Sequence, residues 1–290
     1  MRNMEPTKYS VTELCDAFSV SRSGYQHHNS EPMTRARFTK IKLIAEIKAI
    51  NSDKKLRVYG SPRMTSELND RGFDCCENTV AKLMRELGIE ARRAKPFKPK
   101  TTNVDHKAKY SPNKLKDQKA SSFGETLVSD ITYIRTKEGW LYLAVVMDLF
   151  SRAIIGHQTG SAMPAEIVTR SLEQGVSEWM LETRKTTFHS DRGTQYTSQK
   201  LREKLKSMGI EQSMSGKGNC YDNASCESFF GSLKRELMPD SGYFESRREA
   251  RMALFEHIEG FYNTRRKHTS LGNLSPLQFL ERNSNLDEVA

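Results

Sequence analysis

Three acidic side chains stand where solubility alone would not put them. Asp130 interrupts the apolar run LVSDITYI, Asp191 follows another in TTFHSDRGTQY, and Glu227 flanks the apolar stripe of CYDNASCESFFGSLKREL. Carboxylates gathered without counter-charges repel, so such a cluster takes up protons or binds cations. Oxygen ligands with no His or Cys among them favour Mg²⁺, or Mn²⁺ as a substitute. Two such ions, about 3.5–4 Å apart, can clamp the attacking and leaving oxygens of a phosphodiester. Each acid alone also has a structural reading. Asp130 could cap a strand end, Asp191 could open the Asp-Arg-Gly turn, and Glu227 could pair with Lys234. Asp148, in MDLFSR, adjoins a turn and is assigned to hairpin geometry.

The elements that must position these acids follow from the apolar periods. Residues 127–134, 140–149 and 153–157 are β-branched or aromatic runs divided by turn residues, and they predict an antiparallel three-strand meander. A helix over 164–179, a strand over 186–190, a helix over 197–208, a strand over 210–214 and a helix over 222–237 complete a mixed α/β sheet covered by helices. In the last helix Cys226, Phe230, Leu233 and Leu237 share one arc with Phe229 at its edge, while Asn223, Glu227 and Lys234 flank it. Ser246 and Glu249 predict a capping box for a further helix reaching about residue 263.

The front of the chain is of another kind. Residues 1–120 hold 25 Lys and Arg against 14 Asp and Glu, whereas residues 121–290 hold 21 against 22. Thr12 as N-cap predicts a short helix, followed by a turn and a second helix exposing Arg22, Tyr25, Gln26 and His27. Two short helices with a tight turn suit docking in a major groove. A longer helix spans 36–52, and a second hairpin follows with Val80, Leu83, Met84 and Leu87 as its buried face and Lys82, Arg85, Arg92 and Arg93 on or just past the helix. Residues 1–90 read as helical DNA-binding modules or as a plain α-helical assembly domain. Residues 91–119 carry ten basic and two acidic residues with three prolines, as either a solvated spacer or a phosphate-contacting arm. Five cysteines without a CxxC pair predict free thiols in a reducing compartment, with the cytosol as default. Mean hydropathy is −0.68 and no apolar run is long enough to span a membrane.

Thirty-five residues separate Asp191 from Glu227. With Asp130, that spacing resembles the DD(35)E core of retroviral integrases and bacterial insertion-sequence transposases. The segments SDITYI, VMDLFSR, HSDRGTQYTS, SGKGNCYDNASCESFFGSLKRE and FYNTRRKHTSLGNLSPLQF together resemble the OrfB transposase of two-reading-frame insertion sequences, over about residues 120–282. The resemblance implies an RNase H-like core, two Mg²⁺ or Mn²⁺ ions, strand cleavage at the element ends and transfer into target DNA. It implies Asp130, Asp191 and Glu227 as catalytic metal ligands and Lys234 as a DNA contact near the scissile phosphate. Asn223 matches a polar site residue that could orient the carboxylate or touch DNA. His189 and Arg192 divide between structure and substrate contact. Tyr262, Asn263, Arg266 and His268 match a C-terminal motif, and Arg266 and His268 are carried as DNA-contact candidates beside Arg22, Arg85, Arg92 and Arg93.

The implied organisation is a helical DNA-binding region at 1–90, a basic linker at 91–120, the catalytic core at 121–240 and a helical extension at 241–290. The implied partners are insertion-sequence terminal repeats and target DNA, a homo-oligomer on DNA, and an upstream-frame product as fusion partner, in a bacterial cytoplasm close to the nucleoid. Two departures narrow the resemblance. Paired His and Cys at zinc-ligand spacing are missing from residues 1–120, which favours a transposase over a retroviral integrase, and Leu127-Val128 replaces a tryptophan common before the first Asp in relatives. Two rival expectations remain: a non-catalytic DNA-binding regulator, and an RNase H-like nuclease that cuts without joining.

Overall fold

The computed structural model of this chain describes residues 9–29, 35–91, 110–115, 120–216 and 224–287. They form two compact units, divided at Glu90. The first unit is helical: α1 Val11–Ala17, α2 Arg22–Asn29, α3 Arg35–Ser52, α4 Ser61–Asp70 and α5 Glu77–Glu86. Its core joins Leu43, Ile47 and Ile50 of α3 to Met64 and Leu68 of α4 and Val80, Leu83 and Met84 of α5, all buried. Ile41 of α3 is exposed. The N-cap of α1 is Ser10 rather than Thr12. Ser10 Oγ accepts from the Glu13 N–H at 3.3 Å and Glu13 Oε2 accepts from the Ser10 N–H at 2.7 Å, a reciprocal box that Thr12 could not close.

The second unit holds a five-stranded sheet in the order β3-β2-β1-β4-β5. Its strands are β1 Thr126–Thr136, β2 Gly139–Asp148, β3 Ile154–Gly160, β4 Thr187–Ser190 and β5 Glu211–Met214. The first three are the antiparallel meander; β4 and β5 add in parallel to β1. Alternation along the strands supplies two cores. Val128, Ile134, Leu143, Val145 and Met147 turn to one face, where α9 (Ala224–Leu237) covers them with Cys226, Phe229, Phe230 and Leu233. Leu127, Ala144 and Val146 turn to the other, under Val168 and Leu172 of α6 (Ala165–Glu178), Tyr196 of α7 (Thr194–Thr197) and Leu201 and Leu205 of α8 (Gln199–Ser207).

The residues after 240, expected as an extension, complete the first of these cores. Phe244, Ala250 and Leu254 of α10 (Arg247–His257), then Ile258 and Tyr262, pack with α9 and the sheet. Ser246 caps α10, its side chain accepting from the Glu249 N–H. Glu249 reaches back to the Glu245 N–H instead of the Ser246 N–H, and α10 stops at His257, where a π-turn over Ile258–Tyr262 takes over. Asn263 then stitches this segment to β3: its side-chain amide donates to the Ile154 carbonyl and accepts from the Ile154 N–H, both at 2.9 Å. The last of the described elements is α11, Pro276–Asp287.

Candidate active site

The short parallel pairing of β1 with β4 builds the site. Ser129 lies opposite Ser190, so the next residues, Asp130 and Asp191, emerge side by side where β4 ends and β1 runs on. Asp130 shares the parity of Val128 and Ile134 and therefore faces α9, which carries Glu227 in its first turn. Behind the pair, Ser129 Oγ and the Tyr196 hydroxyl meet at 3.1 Å, both side chains buried.

The electrostatics are those of crowded carboxylates. Burial, then the charge of Asp191 and that of Glu227, push Asp130 up to about 7, against the opposing pull of the Ile131 N–H and of Lys234. Burial also raises Asp191, whose Oδ1 accepts from the Gly193 N–H at 2.9 Å. Asp191 thus opens the Asp-Arg-Gly turn and faces Asp130 at once. Burial and the Asp130 charge hold the Cys226 thiol far above its ordinary range.

This donor set suits a hard cation in its chemistry: oxygen ligands, mutual repulsion, and one carboxyl drawn toward the protonated form by burial and by its acidic neighbours. It is gathered only in part. Among the described residues no three His, Cys, Asp or Glu side chains converge closely enough to hold one ion. Asp130 and Asp191 form the close pair, while Glu227 is exposed at the start of α9.

Lys234 lies two turns along α9 from Glu227 and pairs with a ring instead of a carboxylate. Its ammonium sits 4.4 Å from the centroid of Tyr133, and burial lowers its pKa while Asp130 opposes the change. His189 is buried and structural, its two ring nitrogens held by Ser213 Oγ at 2.9 Å and Ser215 Oγ at 3.1 Å. Arg192 donates to the Ser215 carbonyl at 2.8 Å and stacks on Tyr110 at 4.6 Å, bracing the end of β5. Asp148 takes the hairpin role expected of it: its carboxylate accepts from the Ser151 N–H and Oγ and from the Gly124 N–H, fully buried.

Arg266 is a correction. It was carried as a DNA contact, but its guanidinium is 2% exposed and forks onto the equally buried Glu236 of α9, with Nη2 to Oε1 at 2.7 Å. It also lies over Tyr262, which packs edge-on against Phe229. His268 stacks on Tyr262 and approaches Arg266, so this motif clamps α9 from within. Sequence reasoning passed over Glu236. Its one signal was a second acid on an apolar helix, facing no basic residue one turn away. Arg22 and Arg85 are exposed on α2 and α5. Asn223, Arg92 and Arg93 lie outside the described residues.

Comparison with known proteins agrees with this architecture. Residues 121–220 match the integrase core domain, residues 208–276 match a second integrase core domain model, and residues 39–97 match an HTH-like domain that takes in α4 and α5. The chain is 38% identical over 281 residues to the transposase InsF of insertion sequence IS3 from Escherichia coli K12, covering 95% of this chain and 96% of the relative. It is 37% identical over 272 residues to a 31 kDa protein of insertion element IS600 from Shigella sonnei, covering 93% and 98%. A chain of a simian T-cell lymphotropic virus intasome aligns at 15% identity with a TM-score of 0.47, over 76% of this chain and 70% of that one. The fold and the relatives define a DNA transposase built on an RNase H-like integrase core, an enzyme of the polynucleotidyl-transferase type. The chain belongs to the IS3 family of insertion-sequence transposases, as its OrfB-type member. Among the described residues no helix is long and apolar enough to cross a membrane.

Proposed function

We propose that Asp130, Asp191 and Glu227 are the catalytic carboxylates of this transposase and that they act through divalent metal. The observation that carries this reading is the side-by-side emergence of Asp130 and Asp191 from a parallel strand pair, with Asp130 buried and crowded by the charges of Asp191 and Glu227. Asp130 and Asp191 would hold Mg²⁺ or Mn²⁺ between them, and Glu227 completes the set when the first turn of α9 closes on the pair. Two ions there would supply Lewis-acid stabilisation of the phosphodiester and activate, first, a water and then the freed 3′-hydroxyl. The chain itself orients the reacting strand, and no covalent protein–DNA intermediate is needed. Lys234 lies along the same helix to meet the phosphates beside the reacting one.

Residues 1–90 present Arg22 and Arg85 to the terminal repeats, and residues 91–120, with Arg92 and Arg93, supply a basic arm. Asn223 stands immediately before α9. Arg192 would have to give up its hold on Ser215 and Tyr110 to reach DNA. The chain acts as a homo-oligomer on paired ends, alone or fused to an upstream-frame product, in the bacterial cytoplasm. The test is cleavage and joining of a duplex bearing the terminal repeat that borders the reading frame. With Mg²⁺ the parent should nick the 3′ end and join it to target DNA; Asp191→Asn and Glu227→Gln should each lose at least about a hundredfold. Retained cleavage by either variant would overturn the reading, and cleavage without joining would mark a nuclease.

A further inference from the structure

The edge of β1 beyond Ser129 carries a second feature. Pairing with β4 ends at Ser129, so from Asp130 to Ile134 β1 has β2 on one side and, among the described residues, no paired strand on the other, before Phe244 bridges Thr136 with hydrogen bonds to the backbone of Arg135 and Lys137. Strand alternation turns Asp130 toward α9 and Tyr133 toward the opposite face. Lys234 nevertheless comes from α9 to lay its ammonium over the Tyr133 ring, so the contact closes across the open edge. The ring is fixed from its other side by Trp140, edge-on at 4.9 Å and 41% exposed.

The Tyr133 hydroxyl, alone in this cluster, is buried with no hydrogen-bond partner. A buried hydroxyl left unmade costs about 1–3 kcal/mol, and native proteins retain few of them without a reason. It is a donor, its ring lies under the Lys234 ammonium, and Tyr133 stands three residues along an extended strand from Asp130, roughly 10 Å. A donor and a cation at that spacing match a phosphate next to the one reacting at Asp130.

We infer that Tyr133 is a DNA-contacting residue: its hydroxyl, with the Lys234 ammonium, takes a non-bridging oxygen of a phosphate that flanks the reacting phosphodiester. The inference rests on the proposed transposase site for its location. Its chemistry requires only that a DNA strand follow the open edge of β1. The incoming phosphate draws the ammonium partly off the ring and uncovers the hydroxyl, so one oxygen replaces a cation–π contact with a charge-assisted pair. Trp140 holds the ring so that the hydroxyl direction is set before DNA arrives.

The experiment is binding of the terminal-repeat duplex to the full chain in EDTA, with single neutral methylphosphonates placed one at a time within three nucleotides of the cleavage position. Tyr133→Phe keeps the ring, the Lys234 contact and the Trp140 contact and deletes only the hydroxyl. The parent should lose about tenfold in affinity at one or two neutral positions. Tyr133→Phe should lose about tenfold on the natural duplex and nothing further at those positions. Equal affinity of Tyr133→Phe and parent for the natural duplex overturns the inference, as does a loss that is the same at every neutral position, which marks a packing defect. Cleavage with Mg²⁺ separates the two proposals. Coupling without cleavage by the parent retires the metal mechanism and leaves the phosphate contact; cleavage without coupling does the reverse.

Discussion

Asp130 must carry charge where the protein gives it least help, and its stability cost has a sign. Well below about pH 4, the ordinary carboxyl value, the group is protonated in the folded and unfolded chains alike and contributes nothing. Between there and about 7 the folded chain keeps a proton that the unfolded chain has released, so stability falls as pH rises, and the loss is complete above that value. Thermal melting in EDTA should therefore show the metal-free Tm declining from pH 5 to pH 8. Asp130→Asn should flatten that decline and raise the Tm at pH 8 by roughly 2–4 °C for each kcal/mol recovered. A parent Tm that climbs over this range would contradict the crowding. Arg266 has the opposite character. Its charge is met by Glu236 with both side chains buried, and Arg266→Ala leaves the buried carboxylate without its guanidinium, facing the His257 ring at 3.7 Å. Denaturant unfolding should show a loss of about 3–5 kcal/mol. Chain order alone could not reveal this pairing, because thirty positions separate the two residues and an arginine in a basic motif reads equally as a phosphate ligand. Asp130, Asp191 and Glu227, the acids proposed as catalytic, drew notice in the sequence for the converse reason: each interrupts, follows or flanks an apolar run.

Elements whose period matched their burial were legible almost to the residue. The meander, α6, β5 and α9 stand within about three positions of where alternation and the 3.6-residue stripe put them. What failed was local chemistry decided by partners: the α1 cap moved to Ser10, a separate short helix, α7, precedes the expected one that stands as α8, and α10 gave way to a π-turn. The contact between β3 and α6 was likewise invisible in the sequence. A Cβ on Gly156 would lie 2.0 Å from the Ser171 carbonyl oxygen of α6, which is backbone and cannot swing aside. Gly156→Ala should cost more than about 2 kcal/mol by pushing α6 off the sheet. Gly231 of α9, which meets nothing within 4 Å, should accept alanine with no loss in the same melt.

At the scale of the molecule, charge and chemistry are divided along the chain. The basic excess lies before residue 121, in the helical unit and the arm that follows it, while the carboxylates lie in the nearly neutral remainder. That division was readable from counts alone, and on the proposed function it separates holding DNA from reacting with it. The extent of the second unit was not readable. Phe244, Ala250, Leu254, Ile258 and Tyr262 look like an amphipathic tail in sequence, yet they close the core that holds α9, and through α9 they set where Glu227 can go. The central claim is that this assembly brings three carboxylates onto shared metal. Anomalous diffraction from Mn²⁺ in crystals of the protein bound to terminal-repeat DNA tests it most directly. The account predicts manganese about 2.0–2.3 Å from oxygens of Asp130 and Asp191, with Glu227 drawn in to ligate. Manganese bound elsewhere, or held by one of the three alone, would contradict it.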